Sequence, residues 1–424
     1  MRVGLTGGWE RPPGRLCAVT SVAMLSMHTS PLAQPGVGDS GGMNVYVREL
    51  AGALARAGVD TTVFVRRWRD GLDEVSEPEP GFRVVHVDAG PVSLAKEDLP
   101  EVVDEFADGV AAVLGAEAPV SALHANYWLS GRAAHRLKHQ LQLPLVCTFH
   151  TLARVKADVG EFEPAGRVDA EAEIIGCADR LLASCQAEAD QLVDLYGAAP
   201  DRIEIVPPGV DHAFFSPGYA PGERAGARAA LGLGDAPMLL FVGRIQPLKR
   251  AGLAVAALAA MGRRDATLVI VGGPSGADGE RELASVRALA EVAGVADRVR
   301  FVPPQPHHLL SSWYRAADLV VVPSRSESFG LVALEAAACG TPVVAAAVGG
   351  LTSIVDDGVT GLLVDGSDPA VWAAHLDAVL DDTDGSRAMA HAAVVRARHY
   401  TWPTAAGRLR RLYTDLAQRE PVLC

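Results

Sequence analysis

The sequence predicts an α/β protein built as two doubly wound parallel sheets in tandem, and three observations carry that reading. The chain has 424 residues, too many for one hydrophobic core. Short β-branched apolar runs alternate with Ala-rich or amphipathic runs almost throughout, the pattern of parallel sheets covered on both faces. The alternation breaks once, at the polar turn FSPGYAPGERAG from Phe215 to Gly226, and then restarts. The expected units are residues 1–215, residues 216–400, and a C-terminal helix within 401–424 that packs back on the first unit.

RLCAVTSVAMLSM, from Arg15 to Met27, has a basic flank and an apolar run like a signal peptide. Mixed residues precede it, and a Gly-rich loop and an amphipathic helix follow directly, so it reads as the first strand, near 17–26. Further strands of the first half fall near 60–66, 82–88, 121–125, 144–149, 180–185 and 202–207, with helical runs such as NVYVRELAGALARAG between most of them. The second half has strands near 237–243, 266–272, 298–302, 318–323, 342–346 and 360–364. No stretch reaches ~18 uninterrupted apolar residues, so no membrane span is expected. Open α/β sheets bind ligands beyond the carboxyl ends of their strands, which places the site in the cleft between two facing sheets.

Hydrophobic residues make up 49 %, which excludes a disordered chain, and a net charge of −13 without a basic run argues against nucleic acid. Cys17, Cys147, Cys177, Cys185, Cys339 and Cys424 are scattered with no Cys-x-x-Cys, which suggests reduced cytosolic thiols and no structural zinc. His135-x3-His139 puts two imidazoles on one helix face, but no carboxylate accompanies them in sequence, so they read as ordinary helix residues and no metal is expected. Of the 38 basic residues only Lys96, Lys138, Lys156 and Lys249 are lysines. Each is either a chance surface position or a place that needs a compact ammonium.

Three stretches carry chemistry. GVGDSG, Gly36 to Gly41, matches G-x-G-x-x-G, but about nine residues separate it from the strand and the second strand ends in Arg66-Arg67, so a nicotinamide site is disfavoured. It reads as a flexible loop whose amides approach an anion or sugar between Asp39 and Asn44, or as a plain capping loop. VGRIQPLKR, Val242 to Arg250, sets Arg244 and Lys249 at the end of a strand, where two cations suit a pyrophosphate or form a solvated basic turn. SRSESFGLVALEAAACGTPVV, residues 324–344, is a strand-to-helix turn: the apolar run Asp318–Pro323 precedes it, and Gly340 and Pro342 stop the helix. Its Glu327 and Glu335 are separated by roughly 12 Å at ~1.5 Å of rise per residue. Carboxylates accept from sugar hydroxyls, so a sugar–diphosphate–ribose fits, with Glu327 on the sugar, amides on the phosphates and Glu335 on the ribose. The same separation disfavours a glycosidase acid–base pair. Acids also favour the first turn of a helix for purely structural reasons.

These motifs resemble those of the family 4 retaining glycosyltransferases, two-domain enzymes of the GT-B fold. The E-x7-E of that family falls at Glu327 and Glu335 and its Arg…Lys pair at Arg244 and Lys249, and the likeness runs from about Ser21 to Leu416. More specific stretches are MHTSPLAQPGVGDSGGMNVYV, LAKEDLP, NYWLSG, HTLARVK, GRIQPLK, GGPSG and PSRSESFGLVALEA. The resemblance implies a cytoplasmic enzyme that takes a nucleotide-diphosphate sugar, most like UDP-N-acetylglucosamine, and a phosphorylated inositol of the mycothiol pathway. It implies no further cofactor and allows a homodimer. It implies that Gln34, Pro35, Gly42, Arg244, Lys249, Gln305, Glu327, Ser328, Phe329, Gly330, Leu331 and Glu335 hold the nucleotide-sugar. His28, Asp39, Ser40, Gly41, Gly42, Met43, Asn44, Lys96, Tyr127, Thr151 and Arg167 would hold the acceptor, and His150 would lie near the reacting sugar. Arg244, Lys249, Glu327 and His150 would carry the chemistry. Gln305 stands where relatives vary, which leaves uracil or guanine open, and Ala157 stands where relatives usually have Asn. The first fifteen residues have no counterpart. A secondary-metabolism paralogue with another sugar and acceptor, and a non-catalytic sugar-nucleotide-binding regulator, remain alternatives.

Overall fold

The computed structural model describes residues 21–161, 163–218, 223–276, 278–422 and 424. Strands β1 (Ser21–Leu25), β2 (Asp60–Arg66), β3 (Val75–Glu79), β4 (Phe82–Val87), β5 (Leu123–Asn126), β6 (Leu145–Thr148), β7 (Arg180–Ala183) and β8 (Ile203–Ile205) form one sheet in the order β3-β4-β2-β1-β5-β6-β7-β8. Strands β9 (Met238–Val242), β10 (Thr267–Val271), β11 (Val299–Val302), β12 (Leu319–Val322), β13 (Val343–Ala346) and β14 (Leu362–Val364) form a second, in the order β11-β10-β9-β12-β13-β14. All pairs but β3–β4 are parallel. The strand order reverses at β1 and again at β9, and a crevice opens beyond the carboxyl ends at such switch points.

The central strands are apolar on both faces because helices cover both: β9 (MLLFV) and β12 (LVVV) are almost wholly buried. The sequence reading missed β3. Its residues, VSEPE, are half-exposed and contain a proline, and they form a strand only as an antiparallel edge on β4, where proline and charge are tolerated. The first part of the expected strand 17–26, including Cys17, and residues 219–222 of the polar turn lie outside the described residues. Among the described residues no helix is long and apolar enough to cross a membrane.

The helix Trp402–Ala417 returns to the first sheet. Trp402, Leu409, Tyr413 and Leu416 are buried with Val22, Val47, Leu50 and Val63, each leucine contributing about 1.5–3 kcal/mol. Tyr413 OH lies 2.7 Å from His124 Nδ1 beneath the sheet, and burial pushes His124 down to about 3, so that ring is neutral. The two chain crossings between the domains run side by side. Val210 N donates to Tyr400 O at 3.2 Å, and a Cβ on Gly209 would lie 2.1 Å from Trp402 N, so only glycine fits there.

The expectation of six separate thiols fails for one pair. Cys147, Cys185 and Cys339 are free and buried, but Cys177 and Cys424 meet as a disulfide with Cα atoms 5.3 Å apart. They are 247 positions apart in sequence, so only the fold reveals the pairing.

Candidate active site

A cavity of about 1080 Å³ lies between the carboxyl ends of the two sheets. His28 follows β1, Tyr127 follows β5, His150 and Thr151 follow β6, Arg244 follows β9, and Glu327 follows β12. The parallel topology therefore delivers chemistry from five strands to one place.

On the second domain, the turn after β12 leads into the helix Leu331–Ala338, which Gly330 enters at φ 105°. The first-turn N–H groups of a helix have no acceptor within it, and here they face the cavity past Ser328, Phe329, Gly330 and Leu331. A Cβ on Gly349 would lie 2.2 Å from Glu327 O, and one on Gly350 2.3 Å from Phe329 Cα. This pair, which the sequence reading passed over, lets the chain after β13 press against the turn and fix it. Lys249 Nζ donates to Glu327 Oε2 at 2.5 Å, and Ser324 Oγ reaches the same oxygen at 3.3 Å. Arg244 has no carboxylate partner among the described residues; Nη1 reaches Ser275 Oγ at 3.1 Å and Asp39 O at 3.5 Å. Asp39 and Glu327 lie near enough to act on it electrostatically but are paired with Lys96 and Lys249, so this half-buried cation beside an amide-rich turn is suited to an anionic ligand.

Glu335 is buried and already bonded. Its Oε1 lies 2.7 Å from His307 Nε2, and its Oε2 accepts from Tyr314 OH at 2.8 Å. Both oxygens are tied, so Glu335 is not poised to activate water. Burial works against a charge on His307, but the Glu335 carboxylate and its hydrogen bond outweigh it and hold the imidazole above its usual pKa. His307 was not singled out in sequence. Gln305 lines the cavity and turns its amide back to Pro303 O at 2.9 Å.

On the first domain, two cavity-lining residues that are not glycine have positive φ, Tyr127 at 77° and His150 at 62°. Such strain costs about 1–3 kcal/mol each and persists where surroundings enforce it. His150 Nε2 lies 2.9 Å from Asn126 Oδ1, and burial pushes the ring down to about 3, so it is neutral. Burial, then Lys96, His150, Arg244 and Arg167, push His28 well below its ordinary value, and its buried Nδ1 has no partner. Lys96 Nζ pairs with Asp39 Oδ1 at 3.1 Å. Lys156, which carried no assigned role, pairs with Glu163, and Glu163 also pairs with Arg167.

Of the residues singled out in sequence, Pro35, Asp39, Gly41, Gly42, Met43, Lys96, Tyr127 and Thr151 line the cavity, and Gln34, Ser40, Asn44 and Arg167 do not. Asn44 is buried and spent on the loop, accepting from Gly41 N at 2.8 Å and donating to Thr29 Oγ1 and Ser30 O at 2.6 Å. Ser40 is buried beside Thr29. Gln34 reaches across the cleft to Pro304 O at 3.3 Å. Arg167 lies fully buried behind the wall. It donates to Glu171 Oε1 at 2.7 Å, Tyr127 OH at 3.2 Å and Thr151 O at 2.8 Å, which positions the two hydroxyl residues that do face the cavity. The domains also meet at the turn itself: Ser328 Oγ donates to His150 O, and Ser184 Oγ donates to Ser328 O at 3.2 Å.

Residues 224–396 match the family model Glycosyl transferases group 1, and residues 41–209 match the Glycosyl transferase 4-like domain. The D-inositol 3-phosphate glycosyltransferase of Xylanimonas cellulosilytica is 48 % identical over 418 residues, covering 94 % of this chain and 98 % of that protein. The protein of the same name from Frankia alni is 50 % identical over 399 residues, covering 91 % and 97 %. Among solved structures, sucrose-phosphate synthase from Thermosynechococcus elongatus is 33 % identical with a TM-score of 0.88, covering 94 % of this chain and 99 % of that one. Anabaena HepE in complex with UDP-glucose is 20 % identical with a TM-score of 0.75, covering 93 % and 99 %, a likeness of fold.

Proposed function

The chain belongs to the family of D-inositol 3-phosphate glycosyltransferases, and on that premise we propose that it moves N-acetylglucosamine from UDP-N-acetylglucosamine to 1D-myo-inositol 3-phosphate with retention at the anomeric carbon. The observation that carries this is Arg244, a cation in no direct ion pair among the described residues, standing with Lys249 at the N-terminal end of the helix Leu331–Ala338. A leaving diphosphate there meets two cations and free amides, so charge that grows on it in the transition state is stabilised by groups already in place. Glu327 Oε1 is left to accept from a sugar hydroxyl while Oε2 holds Lys249. Neither His150 nor Glu335 is a base in waiting: burial lowers the His150 pKa to about 3, which makes it too weak a base, and it is bonded to Asn126, while Glu335 is bonded twice. The acceptor hydroxyl then gives its proton to the departing diphosphate on the same face of the sugar.

The Glu163 carboxylate supports a place for the acceptor's phosphate, because it lines the cavity between two cations. It bridges Lys156 and Arg167, beside the hydroxyls of Tyr127 and Thr151. A phosphate that displaces it opens the wall to Arg167 behind it and gains charge-assisted bonds from Lys156, from Arg167 and from Lys96 across the cavity. We assign the enzyme to the cytoplasm, require no cofactor for the transfer, and allow a homodimer.

Purified protein is incubated with UDP- and GDP-sugars and inositol 3-phosphate, with products read by mass spectrometry and the anomeric configuration by NMR. Multiple turnovers of UDP release with an α-linked product support the reading, and binding without turnover leaves only a regulator. Lys96→Ala is expected to raise the acceptor's KM strongly and leave the donor's almost unchanged. If a neutral acceptor is used instead and Lys96→Ala has little effect on it, the inositol phosphate assignment falls while glycosyl transfer stands.

A further inference from the structure

Away from the cleft, the helix Trp128–Leu141 carries His135 and His139 one turn apart on one face, their rings 5.0 Å apart. Cys177, at the end of the helix Arg167–Cys177, and Cys424 complete a group of four whose ligand atoms all lie within 4.8 Å of one another. His139 Nε2 is 3.5 Å from Cys177 Sγ and 3.3 Å from Cys424 Sγ. His135 Nε2 is 3.7 Å from Cys424 Sγ, and its other nitrogen, Nδ1, is 3.5 Å from Glu173 Oε1.

We propose that these four side chains form a Cys2His2 site for a divalent metal of the zinc type, in which the two sulfurs bind the ion as thiolates in place of the bond to each other. With Zn–S near ~2.3 Å and Zn–N near ~2.0–2.1 Å, tetrahedral angles put sulfur and nitrogen about 3.5–3.6 Å apart. The three sulfur–nitrogen distances straddle that value. A disulfide has no use for two imidazoles aimed at it, whereas a metal needs all four groups. Glu173 on the far nitrogen of His135 is the carboxylate that orients a ligating imidazole. Mixed thiolate and imidazole donors in this number select zinc over magnesium or calcium.

Cys424 is brought here by more than its sulfur. Val422 N donates to Asp179 Oδ1 at 2.7 Å, and Asp179 Oδ2 accepts from Lys138 Nζ and Leu145 N, each at 2.7 Å. Lys138, the rare lysine far from the cleft, is thus part of the same anchorage, and it also donates to Cys177 O at 2.6 Å. His135 and His139 stand about 12–18 Å along the helix from Tyr127 at ~1.5 Å per residue, and four protein ligands leave no open position. The site is structural: it clips the segment after the helix Trp402–Ala417 to the first domain. From the bonded form, a low-molecular-weight thiol supplies the two electrons that open the sulfur–sulfur bond and is itself oxidised to its disulfide; the two protein thiols then lose their protons to solvent, and the thiolates and neutral imidazoles bind the ion. The sequence hid this because the ligands are 4, 38 and 247 positions apart in turn, which matches no metal motif.

The test uses the full chain purified without reductant or chelator. Elemental analysis is expected to find one zinc per chain. Denaturation in chelator should then expose six titratable thiols, and replacement by Co²⁺ should give tetrahedral ligand-field bands with a thiolate-to-cobalt charge-transfer band. Cys424→Ser, at an exposed position, should abolish these bands and lower the melting temperature while turnover stays within twofold of wild type. Glu173→Gln should weaken zinc binding roughly ten- to a hundredfold. Metal-free protein with four titratable thiols would establish the disulfide and overturn the proposal. Metal-free protein with six thiols, or zinc retained in both Cys424→Ser and His139→Asn, would overturn it equally.

Discussion

Replacing Arg244 by alanine separates catalysis from stability more cleanly than any other change in the cleft. The guanidinium makes one good hydrogen bond, to Ser275 Oγ at 3.1 Å, and one at the limit, to Asp39 O at 3.5 Å. The acids that act on it, Asp39 and Glu327, keep their own partners Lys96 and Lys249, so its loss leaves no unpaired acid behind. The structural cost is one unsatisfied hydroxyl on buried Ser275, about 1 kcal/mol, or a fall in melting temperature of ~2–4 °C. The catalytic cost is that of one preorganised donor to a leaving group, a loss on the order of 10²–10³ in kcat, about 2.7–4 kcal/mol. Steady-state kinetics with UDP-N-acetylglucosamine and inositol 3-phosphate, calorimetry with UDP, and a thermal melt read the three quantities separately. Gly41→Ala serves as a milder version, since its Cβ would lie 3.0 Å from Arg244 Nε and push the guanidinium aside. Adding Lys249→Ala should cost less than the product of the two single losses, because both cations act on one group. Turnover within threefold of wild type, or a melting temperature lowered by more than ~10 °C, would refute the reasoning.

Three further outcomes are expected. Glu327→Gln should lower kcat on the order of 10² while the affinity for free UDP, followed by calorimetry, changes less than tenfold; equal losses in both would move Glu327 onto the diphosphate. His307 has a raised pKa in the folded protein, so its pairing with Glu335 contributes stability that is complete below the ordinary imidazole value of ~6.5 and fades as pH rises through the higher folded value. Denaturant melts from pH 5 to 9 should show that decline, and His307→Asn should flatten it; an unchanged slope would assign the decline to other groups. Gly350→Ala, with a Cβ 2.3 Å from Phe329 Cα, should displace the turn and abolish activity, whereas Gly115→Ala, with nothing within 4 Å, should be silent in the same assay.

The two sheets were legible because central strands of a parallel sheet are apolar on both faces, and β9, β10, β12 and β13 read as such. The edge strand β3 was not, since its polarity and proline make sense only once β4 is beside it. Arg244, Lys249 and Glu327 were legible as local motifs following strands. The roles of Asn44 and Arg167 were not, because sequence position cannot tell a side chain that faces the cavity from one that holds the wall behind it. His307, Lys156 and Glu163 escaped for a related reason: each matters through a partner brought near by folding. Each of the four lysines forms an ion pair, three in the cleft and one far from it.

The side-by-side crossings at Gly209–Val210 and Tyr400–Trp402 have a mechanical consequence. The second domain leaves the first and returns to it at a single joint, so it hangs from the first as a closed loop of chain. Tension applied to residues 21 and 422 would load only the first domain, and would reach the second domain only after the clip at Cys177 and Cys424 had been opened and the returning helix had peeled away. In a force spectrometer the short extension from release of the helix Trp402–Ala417 should therefore always precede the unfolding of the second domain. For the same reason a single pair of adjacent peptide segments can act as the axle about which the cleft opens, with neither sheet deformed.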